Sequence, residues 1–345
     1  MEMRYLGRSG LQVSSLGFGA MAFGETARAG YFSHLGIIDQ DHADRLTAVA
    51  IEGGVTLFDT ADIYSSGSSE EALGRALGAR RKDIVLATKA YARMGKAAHD
   101  TGLSRRHLIA ACEDSLKRLG TDWIDLYQVH SFDSQVPLEE TMRALDTLVT
   151  SGKVRYIGCS NFAAWQLMKA MSISQQFGIE KFISQQVQYS LLVRDVEHEV
   201  LPCGVDQGVG ALLWSPLAQG FLSGKYRGGE KGNARLEKSG RLNAYDTPLG
   251  NRVLDAVLAI AEAHNATGTQ VALNWLRSRA GVTSVLFGAR TEEQLRDNLA
   301  AANWSLTAEE IATLEAASET PLPYPRSHYH FFSSERNPPL FARHS

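Results

Sequence analysis

Apolar residues fall along the chain in two alternating rhythms. Short runs rich in β-branched and aromatic residues recur at 16–20, 55–61, 84–90, 124–130, 154–160, 182–188, 210–216 and 283–289, each ending in polar or glycine residues. Between them lie stretches with apolar residues three and four positions apart, such as 105–119, 138–151, 251–264 and 292–302, which is helical spacing. About eight strand-like runs joined by helical segments predict parallel strands with helical crossovers. Such units close into a (β/α)8 (TIM) barrel or stay open as a doubly wound sheet, and the periodicity does not choose between them.

Ahead of this rhythm, 3–16 holds two short alternating runs around Arg8-Ser9-Gly10, a hairpin pattern. Longer loops are predicted at 24–41, 91–104 and 217–250, each after a strand-like run. In a barrel, loops after strands gather on the C-terminal face, so these three would shape a substrate mouth. The 345 residues suit one barrel domain over 1–345, with 1–15 as an N-terminal hairpin and 321–345 as a C-terminal tail.

Composition narrows the classes of partner. A hydrophobic share of 44% and a charged share of 21% are those of a globular chain with a large core. The net charge of -3, with both signs interspersed, offers no electropositive field for nucleic acid or an anionic membrane. Cys112, Cys159 and Cys203 are widely separated, which argues against a disulfide framework and a zinc site and for a reducing compartment. No stretch approaches the roughly 18 apolar residues of a membrane span, and no apolar leader follows a basic start. The expected location is the cytoplasm, and no metal is expected.

Ionisable residues close three successive strand-like runs: Asp59, Lys89 and His130, with Tyr64 shortly after Asp59. In a closed sheet they converge into a charge pair, an orienting group and a proton donor, which suits carbonyl reduction. A phenol ordinarily titrates near pH ~10, and a neighbouring ammonium lowers that value by stabilising the phenolate. Lys89 is placed for this, Asp59 to hold the ammonium charged, and His130 to donate to the substrate oxygen. Taken singly, the Asp is a helix cap, the Lys a solvated side chain and the His a satisfied core residue. The joint pattern favours chemistry. Gly17-Phe18-Gly19-Ala20-Met21-Ala22 fits a dinucleotide fingerprint, but a poor helix former follows, so the glycines read as room for a ligand to approach the backbone. Met21, Phe23, Tyr31, Phe32, Tyr91 and Phe132 are loop residues that would wall a pocket for a bulky ketone or aldehyde.

Longer motifs carry a resemblance. Phe58-Asp59-Thr60-Ala61-Asp62-Ile63-Tyr64, then Gly67-x-Ser69-Glu70 and Leu73-Gly74, are followed by Ala87-Thr88-Lys89, by the run 125–130, by 152–161 and by Gln186-Val187-Gln188-Tyr189. In order and spacing these residues resemble the aldo-keto reductase superfamily from about residue 4 to 317. The resemblance implies the barrel over the open sheet. It implies an enzyme in which Tyr64 is the general acid, tuned by Lys89 and Asp59, with His130 orienting a carbonyl and NADPH delivering hydride.

The resemblance also implies a cofactor site. Gly19, Ala20, Met21 and Asp59 would lie along it, Ser160, Asn161 and Gln186 would bond the carboxamide, and Trp214 would stack on the nicotinamide. Ser215, Pro216, Leu217, Gly220, Ser223 and Lys225 would fold over the pyrophosphate. Gly288, Ala289, Arg290, Gln294 and Asn298 would hold the adenosine phosphate. Phe287 and Gly288 replace a proline and a lysine of some branches, which leaves Arg290 as the cation for a 2′-phosphate and favours NADPH over NADH. Phe23, Tyr31, Tyr91 and Phe132 are the substrate-side candidates, for a small-molecule carbonyl or alcohol. Two alternatives stay open: a regulatory subunit of a membrane channel built on this fold, and a Schiff-base lyase acting through Lys89. Monomer and homo-oligomer both remain possible, since no sustained heptad pattern is present.

Overall fold

Period-two alternation along a strand sends one set of side chains to each face of a sheet. In this protein that alternation builds a closed barrel. The computed structural model describes residues 1–227 and 242–332, so the predicted loop 217–250 and tail 321–345 each run into segments, 228–241 and 333–345, outside the described residues.

Met3–Tyr5 (β1) pairs antiparallel with Gln12–Ser14 (β2), as the hairpin pattern predicts. The barrel strands are Leu16–Gly19 (β3), Leu57–Asp59 (β4), Val85–Ala90 (β5), Ile124–Val129 (β6), Val154–Ser160 (β7), Ser184–Gln188 (β8), Gly210–Trp214 (β9) and Val282–Phe287 (β10). Each pairs in parallel with the next, and β10 closes on β3 through Phe287 and Phe18. All the predicted runs are strands, but several are shorter than the pattern suggested. Residues 60–61, 130, 215–216 and 288–289 run past the ladder onto the C-terminal face, where their side chains and backbone are available to a site. At the other end Val55 donates its N–H to the Ala50 carbonyl and so closes a turn before β4 begins.

The inner set of side chains changes character along the barrel. At the floor Leu57, Val85, Ala87, Leu126, Ile183, Leu212 and Leu286 pack with Leu6 and Val13 of the hairpin. The hairpin thus plugs the N-terminal end. Two or four residues further along the same inward faces stand Asp59, Lys89 and Gln128, all buried. The outer faces meet the helices in a larger core, where Phe18 lies 5.6 Å from Phe23, 5.9 Å from Phe58 and 5.9 Å from Phe287, ring to ring. Burying one such ring stabilises the fold by roughly 1.5–3 kcal/mol. Phe287 is thus held in place by this ring packing.

The helices start and stop on local chemistry. Ser104 accepts from the His107 N–H to start Arg105–Leu119, and Gly120 ends it in the left-handed conformation at φ 63°. The segments predicted at 138–151, 251–264 and 292–302 are helices Leu138–Thr150, Pro248–Ala263 and Glu292–Ala300. The second begins earlier than expected because Thr247 caps it and Pro248 occupies its first turn. The predicted loop 24–41 is shorter and more ordered than expected. It holds 3-10 turns at Thr26–Arg28 and Gly30–Leu35, and Asp39 then caps helix Gln40–Glu52 (α1) by accepting from the His42 N–H. No helix opens at Gly17–Ala22, so the fingerprint-like glycines do not start a dinucleotide-binding βαβ unit. Among the described residues, no helix is long and apolar enough to cross a membrane.

Candidate active site

Parallel strands in register bring their C-terminal ends to one rim. Asp59 ends β4, Lys89 lies near the end of β5, and His130 follows β6 directly. Tyr64 reaches the same rim from a tight turn after β4, because Ser65 (φ 47°), Ser66 (φ 52°) and Gly67 (φ 87°) are all left-handed. Non-glycine residues there cost about 1–2 kcal/mol each, so the turn needs ties. Ser68 Oγ donates to the Ser65 carbonyl at 2.9 Å, and Arg28 Nη2 donates to the Ser66 carbonyl at 2.5 Å.

The four residues named from sequence meet. Lys89 Nζ donates to Asp59 Oδ1 at 2.5 Å and to the Thr60 carbonyl at 2.8 Å, and it reaches the Tyr64 hydroxyl at 3.5 Å. The His130 ring stands edge-on to Tyr64, 5.7 Å between centroids. Burial works against the Lys89 charge, yet Asp59 and Tyr64 together hold its pKa above the ordinary value. Burial also pushes His130 down to about 3, assisted by the Lys89 charge, so the imidazole is neutral at neutral pH. For Tyr64 the expected direction is reversed. Burial raises the phenol above its ordinary value and outweighs the lowering by Lys89, while Asp59 adds to the rise. The hydroxyl is therefore a proton carrier in its resting state.

A second layer fixes Asp59. Its Oδ2 accepts from Gln186 Nε2 at 2.8 Å and from Gln128 Nε2 at 3.2 Å. Gln128 lies in the barrel because Gly158 opposite is bare; a Cβ there would come within 2.2 Å of Ser184 Oγ and 3.3 Å of Gln128 Cγ. Gln128 was not among the residues picked out from the sequence. Its place two residues before His130, on the same inward face, is the clue that would have found it. Beneath the phenol, buried Glu70 accepts from Thr88 Oγ1 and from Arg118 Nε, both at 2.6 Å. Asp62 is buried beside them, and burial together with the Glu70 charge pushes its pKa well up.

The residues expected to line a cofactor fall on the rim from β7 round to β3. Ser160 Oγ donates to the Gln186 carbonyl at 3.0 Å, and Asn161 Nδ2 donates to the His130 carbonyl at 3.0 Å. Trp214 Nε1 donates to Asn161 Oδ1 at 3.2 Å, which ties the indole to the same cluster. Ser160, Asn161 and Gln186 thus brace one another and the charged centre. After β9 the chain winds through left-handed Ser215, Ala218, Gln219 and Gly220, with Pro216 and Leu217 between them, and Ser223 Oγ closes on the Gly220 carbonyl at 2.8 Å. Lys225 follows, its Nζ 5.2 Å from the Tyr226 ring centre.

At the end of β10, Asn298 Nδ2 donates to the Gly288 carbonyl at 3.3 Å, and Gln294 Oε1 accepts from the Arg290 N–H at 3.0 Å. Gln294 and Asn298 therefore shape the turn Gly288-Ala289-Arg290 itself. At the end of β3, Ala20 N–H donates to the Asp59 carbonyl at 2.8 Å, between half-buried Gly19 and Met21.

On the substrate side one expectation fails. Phe23 is 1% exposed and packs on Phe18 in the outer core, because a turn closed by the Phe23 N–H donating to the Ala20 carbonyl carries the chain back from the rim. Phe32, also among the expected wall residues, stands beside Tyr64 with its ring 5.3 Å away, and exposed Tyr31 packs edge-on against it. Tyr91 is half-buried and its carbonyl accepts from the Gly102 N–H at 2.8 Å, which folds the 91–104 loop back on itself. Phe132 packs on Phe162 at 5.4 Å and on Trp165 at 5.7 Å. Trp165, 61% exposed on helix Ala164–Phe177, is an aromatic the sequence reading missed because helical spacing alone does not mark it as facing the rim.

Comparison with known proteins agrees with this geometry. Residues 15–319 match the Aldo/keto reductase family. The chain is 38% identical to an uncharacterized oxidoreductase, YrpG, of Bacillus subtilis (strain 168), over 94% of this chain and 99% of the relative. It is 34% identical to the versiconal hemiacetal acetate reductase of Aspergillus parasiticus, over 91% and 96% of the two chains. It is 36% identical to a putative voltage-gated potassium channel subunit beta of Schizosaccharomyces pombe (strain 972 / ATCC 24843), over 93% and 95%. With its closed eight-stranded barrel and the signature residues gathered on one rim, the chain belongs to the aldo/keto reductase family, a membership that supports an oxidoreductase activity.

Proposed function

We propose that this protein is an NADPH-linked reductase of an aldehyde or ketone, with Tyr64 as the proton donor. The observation that carries the reading is the fully buried Lys89 ammonium, held by Asp59 at 2.5 Å and directed at the Tyr64 hydroxyl at 3.5 Å. A carbonyl oxygen seated between Tyr64 and His130 gains negative charge as its carbon is reduced. The Tyr64 hydroxyl donates its proton to that oxygen, Lys89 stabilises the phenolate left behind, and solvent restores the proton. Neutral His130 directs a ring N–H at the same oxygen, and Asp59 keeps Lys89 charged and in place. The nicotinamide, when bound, supplies the hydride.

The rim fits a phosphorylated dinucleotide. A flat indole braced by Asn161 stands at one end, and at the other the Arg290 guanidinium carries no hydrogen bond or ion pair among the described residues. Arg290 is the cation that would distinguish NADPH from NADH, and Lys225 would meet the pyrophosphate. We read residues 1–345 as one domain. The free cysteines Cys112, Cys159 and Cys203 suit the cytoplasm. The lyase alternative is disfavoured, since the Asp59 and Tyr64 contacts keep Lys89 protonated and a protonated amine is no nucleophile.

The resemblance to a protein named as a channel subunit supports a second reading, assembly on a membrane protein. Turnover separates the two. A reductase oxidises NADPH rapidly with the right member of an aldehyde and ketone panel, and Tyr64→Phe lowers kcat about 10²–10⁴-fold while leaving NADPH affinity intact. Near-normal turnover in Tyr64→Phe removes Tyr64 from the mechanism, and the absence of turnover with the whole panel favours the binding role.

A further inference from the structure

Strands β3 and β10 are neighbours, so the connection 20–39 leaving β3 and the turn carrying Arg290 leave the barrel side by side. The Arg290 backbone is fixed by Gln294 Oε1, and Thr291 caps the helix that follows it. The guanidinium is left to be aimed by what lies beside it. What lies beside it is Gly36, at φ 72° and ψ 89°, closing the 3-10 turn Gly30–Leu35. A Cβ on Gly36 would stand 3.2 Å from Arg290 Nη1 and 3.7 Å from its Cδ.

The neighbour in that contact is the far end of a flexible side chain. A substituent at 36 would therefore turn the guanidinium aside rather than press on the backbone. At φ 72° any side chain adds backbone strain, and asparagine, which tolerates the left-handed region best after glycine, adds the least. The connection is itself anchored: Glu25 N–H donates to Ser68 Oγ at 3.0 Å, Arg28 Nη1 pairs with Glu71 at 2.8 Å, and Phe32 rests against Tyr64.

We infer that Gly36 is a positioning residue for dinucleotide choice: its bare backbone sets the direction of the Arg290 guanidinium, so that a side chain at 36 weakens recognition of a 2′-phosphate. The inference rests on the reading of Arg290 as the phosphate ligand and goes beyond it by assigning a determinant on a different element. In the 20–39 connection the sequence marks Ala20, Met21, Phe23, Tyr31 and Phe32, and Gly36 is not among them.

The test is calorimetric titration of the full chain with NADPH and NADH, for wild type, Gly36→Asn, Gly36→Ala, Arg290→Ala and the double variant Gly36→Asn/Arg290→Ala. Thermal midpoints are taken alongside. Gly36→Asn is expected to cut NADPH affinity about tenfold and NADH affinity hardly at all, with a modestly lowered midpoint, and to add nothing on the Arg290→Ala background. Gly36→Ala should follow with a lower midpoint, since alanine also strains the turn. Equal losses for both dinucleotides, or an undiminished effect of Gly36→Asn without Arg290, overturn the inference and leave Gly36 a turn residue. If Arg290→Ala alone leaves the NADPH preference untouched, the reading of Arg290 fails first, and the role of Gly36 falls with it.

Discussion

Neutral groups dominate the upper part of the site. Tyr64 keeps its proton through burial, and His130 loses its proton for the same reason, so that Lys89 and Asp59 are the charges nearest the phenol. His130 has a measurable consequence for stability. Its folded pKa of about 3 lies below the ordinary 6.5, so the unfolded chain binds the extra proton first as the solution is acidified. Its contribution is intact above pH 6.5 and is lost progressively toward pH 3. Urea midpoints of wild type should therefore fall through that window more steeply than those of His130→Gln, and parallel curves would count against a half-buried neutral imidazole. Residue identity was the most legible layer: Asp59, Lys89 and His130 stand at strand ends that period-two patterning marks, with Tyr64 in the turn just after the first. The direction of the Tyr64 shift was not legible, because it depends on how much water the closed barrel excludes.

Elements were legible as kinds and less so as lengths. The eight strand-like runs are all strands, yet several stop before the pattern does, as at residues 60–61, 130 and 215–216, since a hydrogen-bonded edge holds only as far as its neighbour extends. What sequence patterning does not contain is the level at which two strands face each other. Gly158 opposite Ser184 is such a case: the register of β7 and β8 requires an empty place there so that Gln128 reaches Asp59. Gly158→Ala should destabilise the fold by about 1–3 kcal/mol through overpacking and lower kcat by loosening Asp59. Denaturation and turnover measured together check it, and an unchanged midpoint would mean that Ser184 moves aside freely. Connections were the least legible elements. The 24–41 segment contains two 3-10 turns and the start of α1, because Asp39 caps that helix and Ser68 and Arg28 tie the loop to the Tyr64 turn.

At the scale of the whole molecule the barrel is graded from an apolar floor to an ionic rim. The hairpin belongs to the floor, since Leu6 and Val13 complete the cluster around Leu57, Leu126 and Leu212. Leu6→Ala should cost about 2–5 kcal/mol in urea denaturation, as a buried leucine does, without altering NADPH affinity. A loss of affinity larger than the loss of stability would show that floor and rim are mechanically coupled. Closure as a barrel was decided by motif resemblance, because both closed and open sheets satisfy the same alternation.

The burial of Lys89 has a further consequence for ionic strength. Its ammonium is 0% exposed at the side chain, with Asp59 at 5%, so dissolved ions do not reach the pair, whereas Arg290 and Lys225 stand exposed. Added salt screens charges in water over about 8–10 Å and leaves buried pairs largely untouched. Raising salt should thus weaken dinucleotide capture while the rate of the saturated enzyme stays level. One salt titration of KM for NADPH against kcat divides the site into a half that senses its medium and a half that carries its own.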